Sequence, residues 1–347
     1  MRRRHLLFAL IAVTLATLVP LCALLAVDVY LHGKFQKSAG YNVWGYRGPT
    51  VPKKRPGEYR VAVLGGSTAY GYGANWDEAI PAQLERDLAQ PAGPHPIRVL
   101  NLGYNNEGAF SFIFTLKDYL WLDYDLVLLY EGYNDMMGDP RKPNLQVFRH
   151  ESPVYRLTGY LPIFQIVFKE KAAAMLTGDS ASLYRSDNRT VFRPGVAARG
   201  AAEALTMAAD VGKSLEQQLG RVTTAPSKEI TDAAATGCKY PWQDYCRSML
   251  VAVDFALQHG KQVLVVAQPH PLEALRDRHI AQQTELTGLL RRRFADEPRV
   301  QYVDLGDTVD LSDPRHSFDR MHLTAPGNAI VAAALVDPVK AMAARRP

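Results

Sequence analysis

The chain has 347 residues, of which 47% are apolar and 22% are charged. This length predicts one large domain or two small ones, and this composition excludes a wholly disordered, collagen-like or multi-spanning membrane protein. Lys plus Arg number 40 against 35 for Asp plus Glu, but Arg2, Arg3 and Arg4 supply three of these cations, so the rest of the chain is nearly neutral. Such a body lacks the dense phosphate-neutralising surface of nucleic-acid-binding proteins, and we expect no nucleic-acid partner.

An apolar segment follows the three arginines. Residues 6–27 read LLFALIAVTLATLVPLCALLAV, a stretch of 22 residues without a charge that is long enough to cross a bilayer as a helix. The positive-inside rule makes residues 1–5 a cytoplasmic basic end and puts everything after Asp28 outside the cytoplasm, in the periplasm if the cell is Gram-negative. The competing interpretation is a cleaved signal peptide, whose apolar core is usually about 7 to 15 residues. We predict a retained transmembrane signal anchor, with the lipid bilayer as its partner.

Residues 28–57 are rich in glycine and proline and contain a basic run at 53–55, which predicts a tether and an irregular lead-in. Strands and helices then alternate. The predicted strands are 59–64, 97–102, 125–130, 262–267 and 300–304, and the predicted helices are 77–88, 110–122, 243–258, 276–294 and 326–344. Because parallel strands need crossover connections, this order predicts an α/β fold with a five-stranded parallel sheet covered on both faces.

A long insertion, residues 136–239, interrupts the alternation after the third strand. It contains no clear strand, and its predicted helices are 163–176 and 197–219. Because it leaves the sheet at the edge where ligands bind, it is a candidate lid or binding subdomain, and a surface elaboration without a catalytic part is an equal alternative. The main domain is then formed by residues 58–135 and 240–347.

Two of the three cysteines, Cys238 and Cys246, lie outside the apolar segment. A disulfide between them can persist outside the cytoplasm, and the alternative is a pair of independent buried thiols. The cysteines and histidines do not show the spacing of a structural zinc site.

Residues suited to acyl-transfer chemistry follow the first three strands. The first strand runs into Gly65, Gly66 and Ser67, a sharp turn that exposes a hydroxyl beside backbone N–H groups. Gly103 follows the second strand, and Asn134 follows the third. Taken singly, each is more often an ordinary turn residue. Because the carboxyl ends of parallel strands meet at one edge of a sheet, we expect their N–H groups to lie together, as donors for an oxyanion.

Near the C-terminus, Asp319 and His322 are three residues apart in a turn before a helix. In this arrangement the carboxylate can hold the imidazole tautomer while the other ring nitrogen accepts a proton. An isolated pair with this spacing is more often a surface loop with a helix cap. The decisive feature is that it follows the Ser, Gly and Asn stretches in the same chain.

Together these stretches resemble the SGNH/GDSL hydrolase family, whose namesake residues are Ser, Gly, Asn and His. The resemblance covers residues 58–135 and 240–343, and it implies a flavodoxin-like three-layer α/β/α sandwich. It also implies a catalytic triad and an oxyanion hole without a cofactor or a metal: the triad would be Ser67, Asp319 and His322, and the hole would be formed by Ser67, Gly103 and Asn134. One departure is Gly66, where many members of the family have Asp.

The resemblance implies a serine esterase that hydrolyses or transfers an acyl group. We expect an acylated small molecule or glycan as substrate, with acetyl groups of a cell-envelope or exported polysaccharide as the leading candidate and lipids and small esters as alternatives. One alternative is a metal-dependent hydrolase, because Asp313, His316, Asp319 and His322 recur every three residues. The other is a non-catalytic carbohydrate-binding or assembly protein with the same fold.

Overall fold

Five short, apolar strands form one parallel sheet. The structure is a computed structural model that describes residues 2–36, 41–89, 96–136, 143–177, 204, 206–215 and 237–345. The strands are β1 (Tyr59–Gly65), β2 (Ile97–Asn101), β3 (Leu126–Tyr130), β4 (Gln262–Ala267) and β5 (Val300–Asp304). Their order, β2-β1-β3-β4-β5, is that of the flavodoxin-like doubly wound sheet. The predicted fold class is confirmed.

Helices cover both faces of the sheet. The larger helices of the described chain are α1 (Arg2–Phe35), α3 (Ile80–Leu88), α4 (Phe112–Asp118), α8 (Phe164–Thr177), α9 (Gln243–Gln258), α10 (Glu273–Arg293) and α11 (Ala325–Ala344), of which α1 and α8 lie outside the layers that cover the sheet. Shorter ones are α2 (Ser67–Tyr70), α5 (Tyr133–Met136), α6 (Phe148–Glu151) and α7 (Pro153–Thr158). Residues 206–215 are helical too, and the rest of the helix predicted at 197–219 lies outside the described residues apart from 204.

The alternation of side chains along the strands explains the three layers. Val61 and Val63 of β1 pack with α3 and α11 on one face, whereas Ala62 and Leu64 pack with α4, α9 and α10 on the other. All seven β1 residues are buried, as expected for a parallel strand covered on both sides.

Two helices of the described chain are long and apolar enough to cross a membrane, α1 and α11. Helix α11 packs against α3 and buries Val331, Leu335 and Val339 in the domain core, so it belongs to the α/β body. None of the described residues in the most apolar stretch of α1 is buried.

Helix α1 does not stop where its apolar segment ends but continues to residue 35, into the segment that the sequence predicts as a tether. Its last two turns pack into the body, with Asp28 and His32 buried. Asp28 Oδ1 accepts a hydrogen bond of 2.8 Å from the N–H of Ile163, and His32 Nε2 lies 2.9 Å from the carbonyl oxygen of Leu161. The connection between the apolar helix and the body is therefore a continuous helix.

Arg47, in the predicted lead-in, is buried against the turn that follows α2. Its guanidinium donates to the carbonyl oxygens of Tyr70 and Gly71, the latter at 2.7 Å, and lies 4.0 Å from the centre of the Tyr70 ring. Its backbone N–H donates to the carbonyl of Asn101 at 3.0 Å. The lead-in thus connects the turn after α2 to the end of β2.

Arg149 of α6 lies within the predicted insertion, yet it is buried in the main domain, with 1% of its surface exposed. It donates to the carbonyl oxygen of Leu102 at 2.9 Å and to Thr115 Oγ1 at 3.0 Å, and its guanidinium lies 3.6 Å from the carboxyl of Glu107. The start of the insertion is therefore an integral part of the domain.

Cys238 and Cys246 form a disulfide bond that links the segment before α9 to the first turns of that helix. Cys22, on α1, is an exposed free cysteine.

We predict that Arg149→Met destabilises the fold, because it leaves the Glu107 carboxyl buried without its cation. Breaking a buried ion pair typically costs about 3–5 kcal/mol, which should appear as a lower free energy of unfolding in urea titrations followed by circular dichroism. Glu107→Gln in the same chain should restore part of this loss. Arg315→Met is the control: this arginine is 81% exposed, and its replacement should change stability by about 0.5 kcal/mol or less. Equal effects at the two positions would contradict the prediction.

Candidate active site

The serine lies at a sharp turn between β1 and α2. Gly66 follows the strand, and Ser67 is the first residue of the helix, half-buried at the carboxyl edge of the sheet. Its N–H is one of those that a helix start leaves without an intrahelical acceptor, so it remains available to a ligand.

The structure brings the three predicted catalytic side chains together. His322 Nε2 lies 2.8 Å from Ser67 Oγ, and His322 Nδ1 lies 2.7 Å from Asp319 Oδ2. The other carboxylate oxygen, Asp319 Oδ1, accepts the backbone N–H of His322 at 2.7 Å and that of Met321 at 3.1 Å. A continuous line of hydrogen bonds therefore connects the hydroxyl, the imidazole and the carboxylate.

The ionisation state of Asp319 suits this arrangement. Burial alone would raise the pKa of Asp319, but the hydrogen bond and charge of His322, with the two backbone N–H groups, outweigh it and lower the pKa overall. The anionic carboxylate favours the tautomer with hydrogen on Nδ1, which leaves Nε2 to accept the hydroxyl proton.

Two aromatic rings flank the histidine. The ring of Phe318 is nearly parallel to that of His322 at 5.8 Å, and the Tyr72 ring lies 4.8 Å from the imidazole at an inclined angle. These neighbours restrict rotation of the imidazole away from Ser67.

Gly103 packs directly against α2. A methyl group built on this residue would lie 2.7 Å from the backbone nitrogen of Tyr70, so only glycine permits this approach. Its N–H, predicted as an oxyanion donor, donates instead to Asn101 Oδ1 at 3.1 Å. A substrate oxygen would have to share this donor with the Asn101 side chain or replace it.

Asn134 lies against the residue that precedes the nucleophile. A methyl group built on Gly66 would come within 1.9 Å of Asn134 Nδ2, so the amide occupies the space that any side chain at position 66 would need. One amide hydrogen is donated to the carbonyl oxygen of Glu107 at 2.8 Å. An NH2 group has two hydrogens, so a second donor is left for a ligand. Position 66 is therefore Gly and not the Asp of many family members in a site where the Asn134 amide fills the space of a side chain.

Sequence reasoning missed Glu131, which directly follows β3 and is 1% exposed. Its carboxyl accepts three backbone N–H groups: Gly66 at 2.7 Å, Gly132 at 2.9 Å and Asn134 at 3.1 Å. It therefore ties the serine turn to the asparagine turn. The available signal was an acidic residue at the end of a wholly apolar strand, where a charge must find partners.

A second carboxyl, that of the half-buried Asp135, lies close to Glu131 and accepts the N–H of Ala109 at 2.8 Å. Burial, followed by the nearby charge of Asp135, raises the pKa of Glu131 to about 8. Burial raises the pKa of Asp135 to about 7. Both carboxyl groups therefore stay protonated at pH values at which exposed carboxyl groups are already ionised.

The four residues of the metal alternative separate into two pairs. Asp313 binds Arg315 at 2.6 Å, with His316 Nδ1 3.8 Å away from the same carboxylate, whereas Asp319 is bound to His322. Within the part of the chain that the structure describes, no group of three or more His, Cys, Asp or Glu side chains is arranged to hold a metal ion.

No family model and no curated protein matches this sequence. Solved structures with a similar fold include an acetyl xylan esterase from Geobacillus stearothermophilus (11% identity, TM-score 0.43, covering 81% of this chain and 94% of that one). Another is a lipase/acylhydrolase from Enterococcus faecalis (12%, 0.44, 82% and 96%). A third, from Desulfitobacterium hafniense, is assigned to the lipolytic G-D-S-L family (10%, 0.40, 80% and 98%).

One of the three carries the name of the family that the sequence motifs resemble. At such low identities and TM-scores, the likeness carries no argument about what this chain does. The case for its function rests on the geometry of its own residues.

We predict that stability falls as the pH rises from about 5 to about 8. Over this window the folded protein retains protons on Glu131 and Asp135 that the unfolded chain has released, so the free energy of unfolding decreases with pH. Urea denaturation at several pH values measures this slope. Asp135→Asn removes one of the two groups and should flatten the slope, whereas Asp310→Asn, at an exposed site, should not. An unchanged slope in Asp135→Asn would refute the assignment.

Proposed function

We propose that this chain is a serine esterase of the SGNH type that cleaves or transfers an acyl group. The observation that carries the proposal is the hydrogen-bonded line from Ser67 Oγ through His322 to Asp319, with 2.8 Å and 2.7 Å contacts. This arrangement supplies a nucleophile, a general base and the group that orients the base.

The reaction proceeds in two balanced steps. Ser67 Oγ attacks the ester carbonyl carbon while its proton passes to His322 Nε2, and the leaving alcohol then takes that proton as the ester C–O bond breaks. Water or another hydroxyl next attacks the acyl-serine and gives its proton to His322, which returns it to Ser67 as the acyl group departs. Asp319 stabilises the imidazolium in both steps without being protonated itself.

The oxyanion that forms in each step is stabilised by N–H donors at the strand ends. The proposed donors are the Ser67 N–H, the second amide hydrogen of Asn134 and the Gly103 N–H after it turns from Asn101. Donors held in place by the fold need little reorganisation during the reaction, which is the source of their large effect.

The proposed location is the outer surface of a membrane, with α1 as a retained anchor. Support comes from its final turns, where Asp28 and His32 are buried in the body, so cleavage near residue 27 would cut a continuous helix close to its packed end. The substrate we propose is an acetyl ester on a cell-envelope or exported polysaccharide.

The test is hydrolysis of p-nitrophenyl acetate by the purified full-length chain in detergent. Ser67→Ala should abolish turnover and labelling by a serine-directed phosphonate, with the adduct of the parent chain found on Ser67 by mass spectrometry. Ser312→Ala, at an exposed serine, should retain both. Activity that persists in Ser67→Ala, or that EDTA removes, would overturn the proposal. Acetylated xylan and other acetylated glycans, supplied as substrates, test the proposed substrate class separately.

We further predict that Asn134→Ala lowers turnover by about 10² to 10³, the usual cost of removing one oxyanion donor. Gly66→Ala should cause a similar loss, because the added methyl group displaces the Asn134 amide. The double variant should then be little worse than either single one, since both changes remove the same interaction. Losses that multiply in the double variant would show that Gly66 acts independently of Asn134.

A further inference from the structure

Beyond the proposed catalytic role, we propose that the body rests directly on the bilayer that α1 crosses, through a patch formed by Trp44 and Trp121. These side chains are 40% and 55% exposed, and their indole rings lie 6.1 Å apart. The proposal relies on α1 as a membrane anchor and does not depend on the catalytic chemistry.

The patch lies close to the point where α1 enters the body. The carbonyl oxygen of Leu161 contacts His32 of α1, and the N–H of Leu161 donates to the carbonyl oxygen of Val43 at 3.0 Å. Trp44 is the next residue, and its ring lies 3.9 Å from a methyl group built on Gly159. Tyr160 donates its hydroxyl hydrogen to Asp28, at the first polar turn of the helix.

The contact between Tyr160 and Asp28 involves the turn of α1 that directly follows its apolar segment. A body held at this turn lies close to the membrane surface, so the exposed side chains beside it are the ones that can reach the bilayer. Trp121 precedes the amino end of β3.

Basic residues accompany the aromatic ones at this end. Lys54 binds Asp125, just before β3, at 2.8 Å, and the neighbouring Lys53 and Arg55 are exposed. Asp123 offsets part of this charge, since it lies 3.6 Å from Lys54. Tryptophan at the level of the lipid headgroups and basic residues beside them are the usual composition of a surface that contacts an anionic bilayer.

A pocket of about 460 Å³ opens between the two tryptophans. Asp118 and Arg156 contribute charged groups to its wall, and the rings of Tyr119 and Tyr155 contribute apolar surface. This mixture suits the headgroup region, where polar groups and acyl chains meet. A soluble sugar that stacks on the indole rings is the rival occupant.

The chain contains only four tryptophans, so their fluorescence can test the contact. The full-length protein is reconstituted into nanodiscs of phosphatidylcholine and phosphatidylglycerol, with or without a phosphatidylcholine brominated near the headgroup. Bromine should quench the emission of the parent chain, and Trp44→Phe/Trp121→Phe should lose most of this quenching. Trp76 is a half-buried tryptophan beyond α2, and bromine should quench the emission of Trp76→Phe as much as that of the parent chain.

The outcomes separate docking from catalysis. Bromine should quench the emission of Ser67→Ala as it does that of the parent chain, since the contact does not need the nucleophile. Near-UV circular dichroism checks that each variant is folded. An unquenched parent chain, equal quenching in the double variant, or failure of the protein to co-purify with the discs would overturn the proposal. So would an emission change at Trp44 and Trp121 caused by acetylated xylo-oligosaccharide and not by brominated lipid.

Discussion

The carboxyl of Glu131 is the contact on which the geometry of the site depends. It accepts N–H groups from Gly66, Gly132 and Asn134, and so fixes the turn after β1 relative to the turn after β3. These two turns carry the nucleophile and the proposed oxyanion donor, which have to be held to within a fraction of an ångström. A buried acidic group is costly, yet it can bind several N–H groups from different strands at once, which an apolar side chain cannot do.

The parts of the structure that the sequence predicted are those with local causes or those that the topology of a parallel sheet dictates. The strands are recognisable because a parallel strand buried on both faces is a short run of apolar residues, and the predicted and observed strands differ by at most one residue at either end. The meeting of Ser67 with His322 follows from topology, since both lie near the carboxyl edge of the sheet. That Asp319 contacts His322 follows from their spacing of three residues in a turn.

The parts that the sequence did not predict depend on partners far apart along the chain. The sequence predicts Arg149 as a surface residue of an insertion, and only its contacts with Leu102 and Thr115 show that it is part of the main domain. Asp28 and His32 look like the polar end of a membrane helix, and only the packing of residues 160–164 reveals why the helix continues past them. The hydrogen bond from the Gly103 N–H to Asn101 is not predictable from the sequence either, because it depends on the rotamer of the Asn101 side chain.

The rigid entry of α1 also bears on the choice of substrate. A catalytic domain on a flexible tether could present its site to the bilayer at many distances and angles, whereas a helix that continues into the body restricts them. Asp28 and His32 are buried where the last turns of α1 pack on the body. If α1 is the proposed anchor, the distance of Ser67 from the membrane is therefore set by the fold. The esters that the serine can reach then depend on this helix as well as on the shape of the site.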